Sequence, residues 1–169
     1  MNIVTVAATQ MACSWDRDAN VARADKLIRE AASRGAQVIL IQELFETPYF
    51  CKDHSARHLE LAKPLEAHPA VEHFRAVARD LGVVLPISVF ERANNVFYNS
   101  VVIIDADGAV LGNYRKSHIP EGPGYHEKFY FSPGDTGFKV FDTRYARLGV
   151  AICWDQWFPE SARARALMG

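Results

Sequence analysis

Residues 3–41 constrain the fold most strongly. They hold a compact apolar run at 3–8, a helical pattern from Asp18, and a second apolar run at 38–41. Both runs are rich in β-branched residues and too short for helices, so each predicts a buried strand. Between them Val21, Ala24, Leu27, Ile28 and Ala31 recur on one helical face, with Gly35 as the stop. A strand, a helix and a strand in so short a span predict a right-handed crossover and an α/β fold.

Residues 47–64 have no clear period. They start with Pro48 and carry the aromatic pair Tyr49 and Phe50. Val71, Phe74, Val77, Ala78 and Leu81 then predict an amphipathic helix closed by Gly82. Strands are expected at 83–90 and 96–104 around a polar turn at 91–95. Asp105-Ala106-Asp107-Gly108 turns the chain into a further strand at 109–115. Residues 117–137 are too long for a simple connection and read as a packed or functional loop. A last hairpin at 138–141 and 146–152 leads to Cys153, and a helix is expected at 161–168. No repeat or linker divides the chain, so residues 1–169 read as one domain.

Nineteen basic and twenty acidic residues give a formal charge of -1, which offers no general field for nucleic acid or an anionic membrane. No run approaches the ~20 apolar residues of a membrane-spanning helix. Cys13, Cys51 and Cys153 are odd in number and widely spaced, against a disulfide framework or a thiolate metal site. The cytoplasm is the expected compartment. His54 and His58 have the spacing to share a metal on a helix, but no acidic or cysteine ligand accompanies them at a recognised spacing, and no metal is expected. Arg163 and Arg165 read as the solvated face of a helix.

Glu43, Lys116 and Cys153 each stand at the end of an inferred strand, where open sheets build their sites. Singly each has an ordinary explanation: a first solvated residue, a surface charge, a small buried thiol. Together they supply a base, an oxyanion stabiliser and a nucleophile. Cys153 at a strand-to-helix junction would also feel the positive end of the helix, which favours thiolate.

The segments Ile41-Gln42-Glu43-Leu44-Phe45, Tyr114-Arg115-Lys116-Ser117-His118-Ile119-Pro120 and Val150-Ala151-Ile152-Cys153-Trp154-Asp155 resemble, in order and spacing, the three catalytic segments of the nitrilase (carbon-nitrogen hydrolase) superfamily. Within it, 116–120 and 122–141 are most similar to members that act on carbamoyl amines. The resemblance implies Cys153 as nucleophile, Glu43 as general base and then acid, and Lys116 as oxyanion stabiliser. It also implies Glu127 as an auxiliary carboxylate beside the lysine. The Trp154 backbone N–H is assigned to the oxyanion, and Tyr49 and His118 are weaker candidates for substrate contact. The implied reaction is cofactor-free hydrolysis of a carbamoyl C–N bond in a small-molecule carbamoyl amine such as N-carbamoylputrescine. Carbamoyl amino acids, dicarboxylic acid monoamides and nitriles remain alternatives, as does a noncatalytic fragment serving only association.

Superfamily members fold as a four-layer αββα sandwich and often self-associate, so a homo-oligomer is expected of the full-length protein. This chain is shorter than such members. It is expected to form an incomplete αββα sandwich, truncated on the C-terminal side, with apolar sheet surface left bare.

Overall fold

The computed structural model describes residues 3–169. β1 (Val6–Ala8) and β2 (Val38–Leu40) pair in parallel across α1 (Arg17–Ser33), as the opening pattern predicts. The Asp16 carboxylate caps α1 by accepting the Ala19 N–H at 3.0 Å, satisfying a donor that the first helical turn leaves free. α2 (Pro69–Leu81) begins with proline at its first turn and ends on Gly82, whose φ of 65° is the left-handed conformation that closes a helix.

β3 (Leu85–Ala93), β4 (Val96–Ile104) and β5 (Val110–Arg115) form an antiparallel meander. The expected polar turn at 91–95 is shorter than the sequence suggests. Glu91, Arg92 and Ala93 continue the strand, because Glu91 is buried against Ser100 and Arg115, leaving a two-residue turn at Asn94 and Asn95. A parallel bridge between Val38 and Val84 joins this meander to β2, so five strands act as one layer.

α1 and α2 cover one face of that layer, where Ile28, Ile39, Phe74, Val77, Leu85, Ile87, Val102 and Ile104 make the main core. The 117–137 stretch contains a small hairpin, β6 (Glu121–Gly122) with β7 (Tyr125–His126), and then a 3-10 turn at Glu127–Phe129. Gly134 seats the end of this stretch on β5: its N–H reaches the Lys116 carbonyl at 2.8 Å, and a Cβ there would collide with the Arg115 carbonyl. Residues 47–64 are two further 3-10 turns, Phe50–Lys52 and Ala56–Leu61.

β8 (Val140–Asp142) and β9 (Arg147–Gly149) lie over the opposite face of the layer, packing Phe141 on Val101, Ile103 and Tyr114, and Leu148 near Val38 and Val84. α3 (Pro159–Leu167) packs outside this hairpin. The order helices, sheet, hairpin, helix is the layered α/β arrangement expected, with two strands in the second sheet among the described residues.

Three local expectations need correction. β9 stops at Gly149 rather than 152, because Ile152 turns inward to bind Asp155. Cys153 does not open the terminal helix: it begins a 3-10 turn, Cys153–Trp157, and α3 starts only at Pro159. Arg165 is not solvated. It is 7% exposed, lies over the Tyr114 and Phe138 rings, and donates to the Ser161 carbonyl at 2.6 Å. Its long stem and flat cation fill space between α3 and the hairpin that an apolar residue would otherwise occupy.

Candidate active site

Glu43 lies just beyond β2, Lys116 follows β5, and Cys153 follows β9. The layered topology brings the three together. The Lys116 ammonium is 2.6 Å from Glu127 Oε2 and 3.2 Å from Glu43 Oε1. Lys116 is fully buried and Glu127 is 2% exposed, whereas the Glu43 side chain is 29% exposed. Glu127 thus pairs with Lys116 and not with its chain neighbour Lys128, whose backbone N–H binds Glu121.

Burial alone would lower the Lys116 ammonium, but the two carboxylates outweigh it and hold its pKa above the usual lysine value. Two carboxylates around one ammonium leave an excess negative charge that burial penalises. The Glu127 carboxyl is accordingly pushed up, chiefly by burial, against the opposing pull of Lys116 and of Tyr49. The Tyr49 hydroxyl donates to Glu127 Oε1 at 2.7 Å, and burial, reinforced by this contact, raises the phenol as well. Tyr49 therefore gives its polar end to Glu127, while its ring stays partly exposed.

Cys153 has φ 46°, a left-handed backbone that side chains rarely adopt and that turns the thiol out of the strand direction. Leu44, directly after Glu43, has φ 51°, and its N–H is held by the Ser88 hydroxyl at 2.9 Å. The thiol responds to the charges of Lys116, Glu43 and Glu127. Its pKa lies above the ordinary thiol value: partial desolvation raises it, Lys116 pulls it down, and the two carboxylates add to the rise. The helix N-terminus expected to favour thiolate does not lie at Cys153. A five-residue 3-10 turn supplies little dipole, and the nearby carboxylates oppose ionisation.

Two site residues escaped the sequence reading. Asn99 on β4 donates its amide N–H to Glu43 Oε1 at 2.6 Å, while its backbone carbonyl accepts the Lys116 N–H at 2.8 Å. One residue thus sets both the carboxylate and the lysine. The signal was a polar Asn-Ser pair in the middle of an otherwise apolar strand. Asp155 is fully buried and accepts from Ile152 N–H, His118 N–H, the His118 ring and the Tyr114 hydroxyl, at 2.7 to 3.0 Å. It fastens the turn at Cys153 to the strand end carrying Lys116.

His118 belongs to that fastening. It binds Asp155 and stacks on Phe158 with ring centroids 3.6 Å apart, so its ring serves the scaffold. His58 is buried beside Trp15 and Tyr130 and does not share a site with His54, which is exposed. Cys51 is core, packed with Phe50, Phe90 and Tyr130.

The carbon-nitrogen hydrolase family model matches residues 5–169. A potato (Solanum tuberosum) N-carbamoylputrescine amidase is 62% identical over 99% of this chain and 56% of its own length. A Francisella tularensis citrullinase is 49% identical over 98% of the chain and 58% of its own. The chain thus spans little more than half the length of these curated relatives. A crystal structure of a carbon-nitrogen hydrolase from Helicobacter pylori superposes with a TM-score of 0.92 at 37% identity, covering 98% of this chain and 57% of that one.

Proposed function

The chain belongs to the carbon-nitrogen hydrolase family, and from that premise we propose that the protein hydrolyses the ureido C–N bond of a carbamoyl amine, with N-carbamoylputrescine as substrate. The observation that carries the reading is the buried ammonium of Lys116 between Glu43 and Glu127, within electrostatic reach of the Cys153 thiol. The similarity to N-carbamoylputrescine amidases supports the choice of substrate.

In this mechanism Glu43 takes the thiol proton as sulfur attacks the ureido carbon. The carbonyl π pair moves onto oxygen, and the oxyanion is held by Lys116 and the Trp154 N–H. Collapse breaks the bond to the alkyl nitrogen, and Glu43 returns the proton so that putrescine leaves as the free amine. A carbamoyl thioester remains on Cys153. Glu43 then deprotonates water, which adds to the thioester carbonyl; loss of thiol gives carbamic acid, which breaks down to carbon dioxide and ammonia. Glu127 keeps Lys116 charged and in place, and Tyr49 holds Glu127. Neither metal nor organic cofactor enters this scheme.

Three free cysteines suit a reducing compartment, so the cytoplasm is part of the proposal. No helix among the described residues is long and apolar enough to cross a membrane. Exposed Trp157 just before α3 supports association into a homo-oligomer. Putrescine as product puts the reaction in the supply of polyamines.

A second reading has its own support in the citrullinase similarity: citrulline carries the same ureido group with an α-amino acid at the far end. Steady-state kinetics of the full-length protein on N-carbamoylputrescine, citrulline and a dicarboxylic acid monoamide separate the readings. The highest kcat/KM is expected on N-carbamoylputrescine. A higher value on citrulline moves the assignment to the amino acid, and a higher value on the monoamide removes the carbamoyl assignment altogether.

A further inference from the structure

On the outer side of the Tyr49–Glu127 contact lies a second cluster that the hydrolytic scheme does not use. Glu121 and His126 are cross-strand partners in the β6–β7 hairpin, and His126 Nδ1 lies 2.6 Å from Glu121 Oε1. His54, from the irregular stretch after β2, brings its Nε2 to 3.9 Å from the same oxygen. The two imidazole rings are 4.0 Å apart, and one ligating atom from each of the three residues falls within 4.8 Å of the others. The second oxygen of Glu121 accepts the Lys128 N–H at 3.2 Å, and Phe129 packs against the His54 ring at 5.0 Å. Carboxylate and one imidazole are therefore already oriented by neighbours.

We propose that His54, Glu121 and His126 form a binding site for a borderline divalent cation, Zn²⁺ or Co²⁺. Two imidazoles and one carboxylate are the donor set such ions prefer, whereas Mg²⁺ and Ca²⁺ select oxygen. Tetrahedral bonds of about 2.1 Å put ligand atoms about 3.4 Å apart. Reaching that spacing requires Glu121 and His126 to separate by less than an ångström and His54 to close by about half an ångström on Glu121 and by no more than about 1.4 Å on His126, within the play of surface side chains. Three protein ligands leave a fourth position for water or an exogenous group.

The site's position gives it a consequence. His54 lies five residues beyond Tyr49 and His126 is adjacent to Glu127, so a bound ion ties together the two segments whose side chains meet at the Tyr49–Glu127 hydrogen bond. Neither His54 nor Glu121 touches the Glu43–Lys116–Cys153 cluster, so occupancy acts on the rim and not on the chemistry. The sequence spacing pointed to His54 with His58; the fold pairs His54 with His126 instead. This inference does not depend on which carbamoyl compound is the substrate.

The test is calorimetric titration of untagged full-length protein with Zn²⁺ at neutral pH, in the Cys153→Ala background so that the active-site thiol cannot contribute. One equivalent is expected to bind, with Mg²⁺ failing to compete. His54→Ala and Glu121→Gln should each weaken binding at least about tenfold. Co²⁺ loading should give visible ligand-field absorption without a thiolate charge-transfer band, and Glu121→Gln should abolish it. Since the three residues are at the surface, these variants are expected to fold, and unchanged circular dichroism checks that. Absence of stoichiometric binding to the folded protein, or binding unaffected by both substitutions, overturns the proposal and leaves the cluster a surface ion pair.

Discussion

At Cys153 a left-handed backbone, worth about 1 kcal/mol of strain, coincides with a thiol whose proton is held more tightly than usual. The nearby carboxylates oppose ionisation of the thiol, and the proposed scheme gives Glu43 the task of taking its proton as sulfur attacks. The pH dependence follows from the sign of the neighbours. Alkylation of the Cys153 peptide by iodoacetamide, followed by mass spectrometry, should have its midpoint above that of an ordinary thiol. In Glu43→Gln a repelling negative charge is gone, so the midpoint should move to lower pH. A midpoint below neutrality, or one shifted upward in Glu43→Gln, contradicts this electrostatic account. Selective labelling over Cys51 and Cys13 is not by itself diagnostic, because Cys51 is buried and Cys13 half-buried while Cys153 is exposed. The convergence of the three principal residues was legible in the sequence because each stands at the end of an inferred strand. The strain at Cys153 and Leu44 was not, since neither is a glycine and no composition signal marks a positive φ.

The elements meet at Asp155. Its carboxylate holds the end of β5 through His118 and Tyr114 and the turn at Cys153 through Ile152, all away from water. Hydrogen bonds to a buried charge contribute more than neutral ones, and an orphaned donor costs its full desolvation. Asp155→Ala should lower stability by about 3 kcal/mol in urea unfolding, and should cut kcat well beyond what the stability loss explains, because Cys153 and Lys116 lose their common anchor. Near-normal stability would mean that water replaces the carboxylate and that the turn is held otherwise. Helix and strand placement was largely readable from periodicity: α1, α2 and the β4–β5 hairpin lie close to where the pattern puts them. Boundaries failed where a polar residue makes a tertiary contact. Glu91 extends β3 because Arg115 and Ser100 neutralise it inside, and Arg165 is buried because aromatic rings receive it. A charge pattern along the sequence cannot show its distant partner.

At the scale of the whole molecule, the sheet is covered fully on one face only. Val6 and Leu40 point away from α1 and α2, share their face with Val38, and are 70% and 49% exposed beyond the reach of the β8–β9 hairpin. The bare apolar surface anticipated from the sequence is therefore present. Concentrated solutions of the 169-residue chain should self-associate through it, and Val6→Ser with Leu40→Ser should shift size-exclusion chromatography toward monomer. An unchanged elution profile places the association elsewhere. Fold family was legible because the three site segments stand in order along the chain, whereas Asn99, Asp155 and the His54–Glu121–His126 cluster come into view only when the strands are assembled. The most direct test of the central claim is mass spectrometry of the full-length protein quenched during turnover of N-carbamoylputrescine. One carbamoyl group is expected on the Cys153 peptide, absent with Cys153→Ala, which should also release no putrescine. Turnover that persists in Cys153→Ala, or a carbamoyl group found only on another residue, would contradict the account.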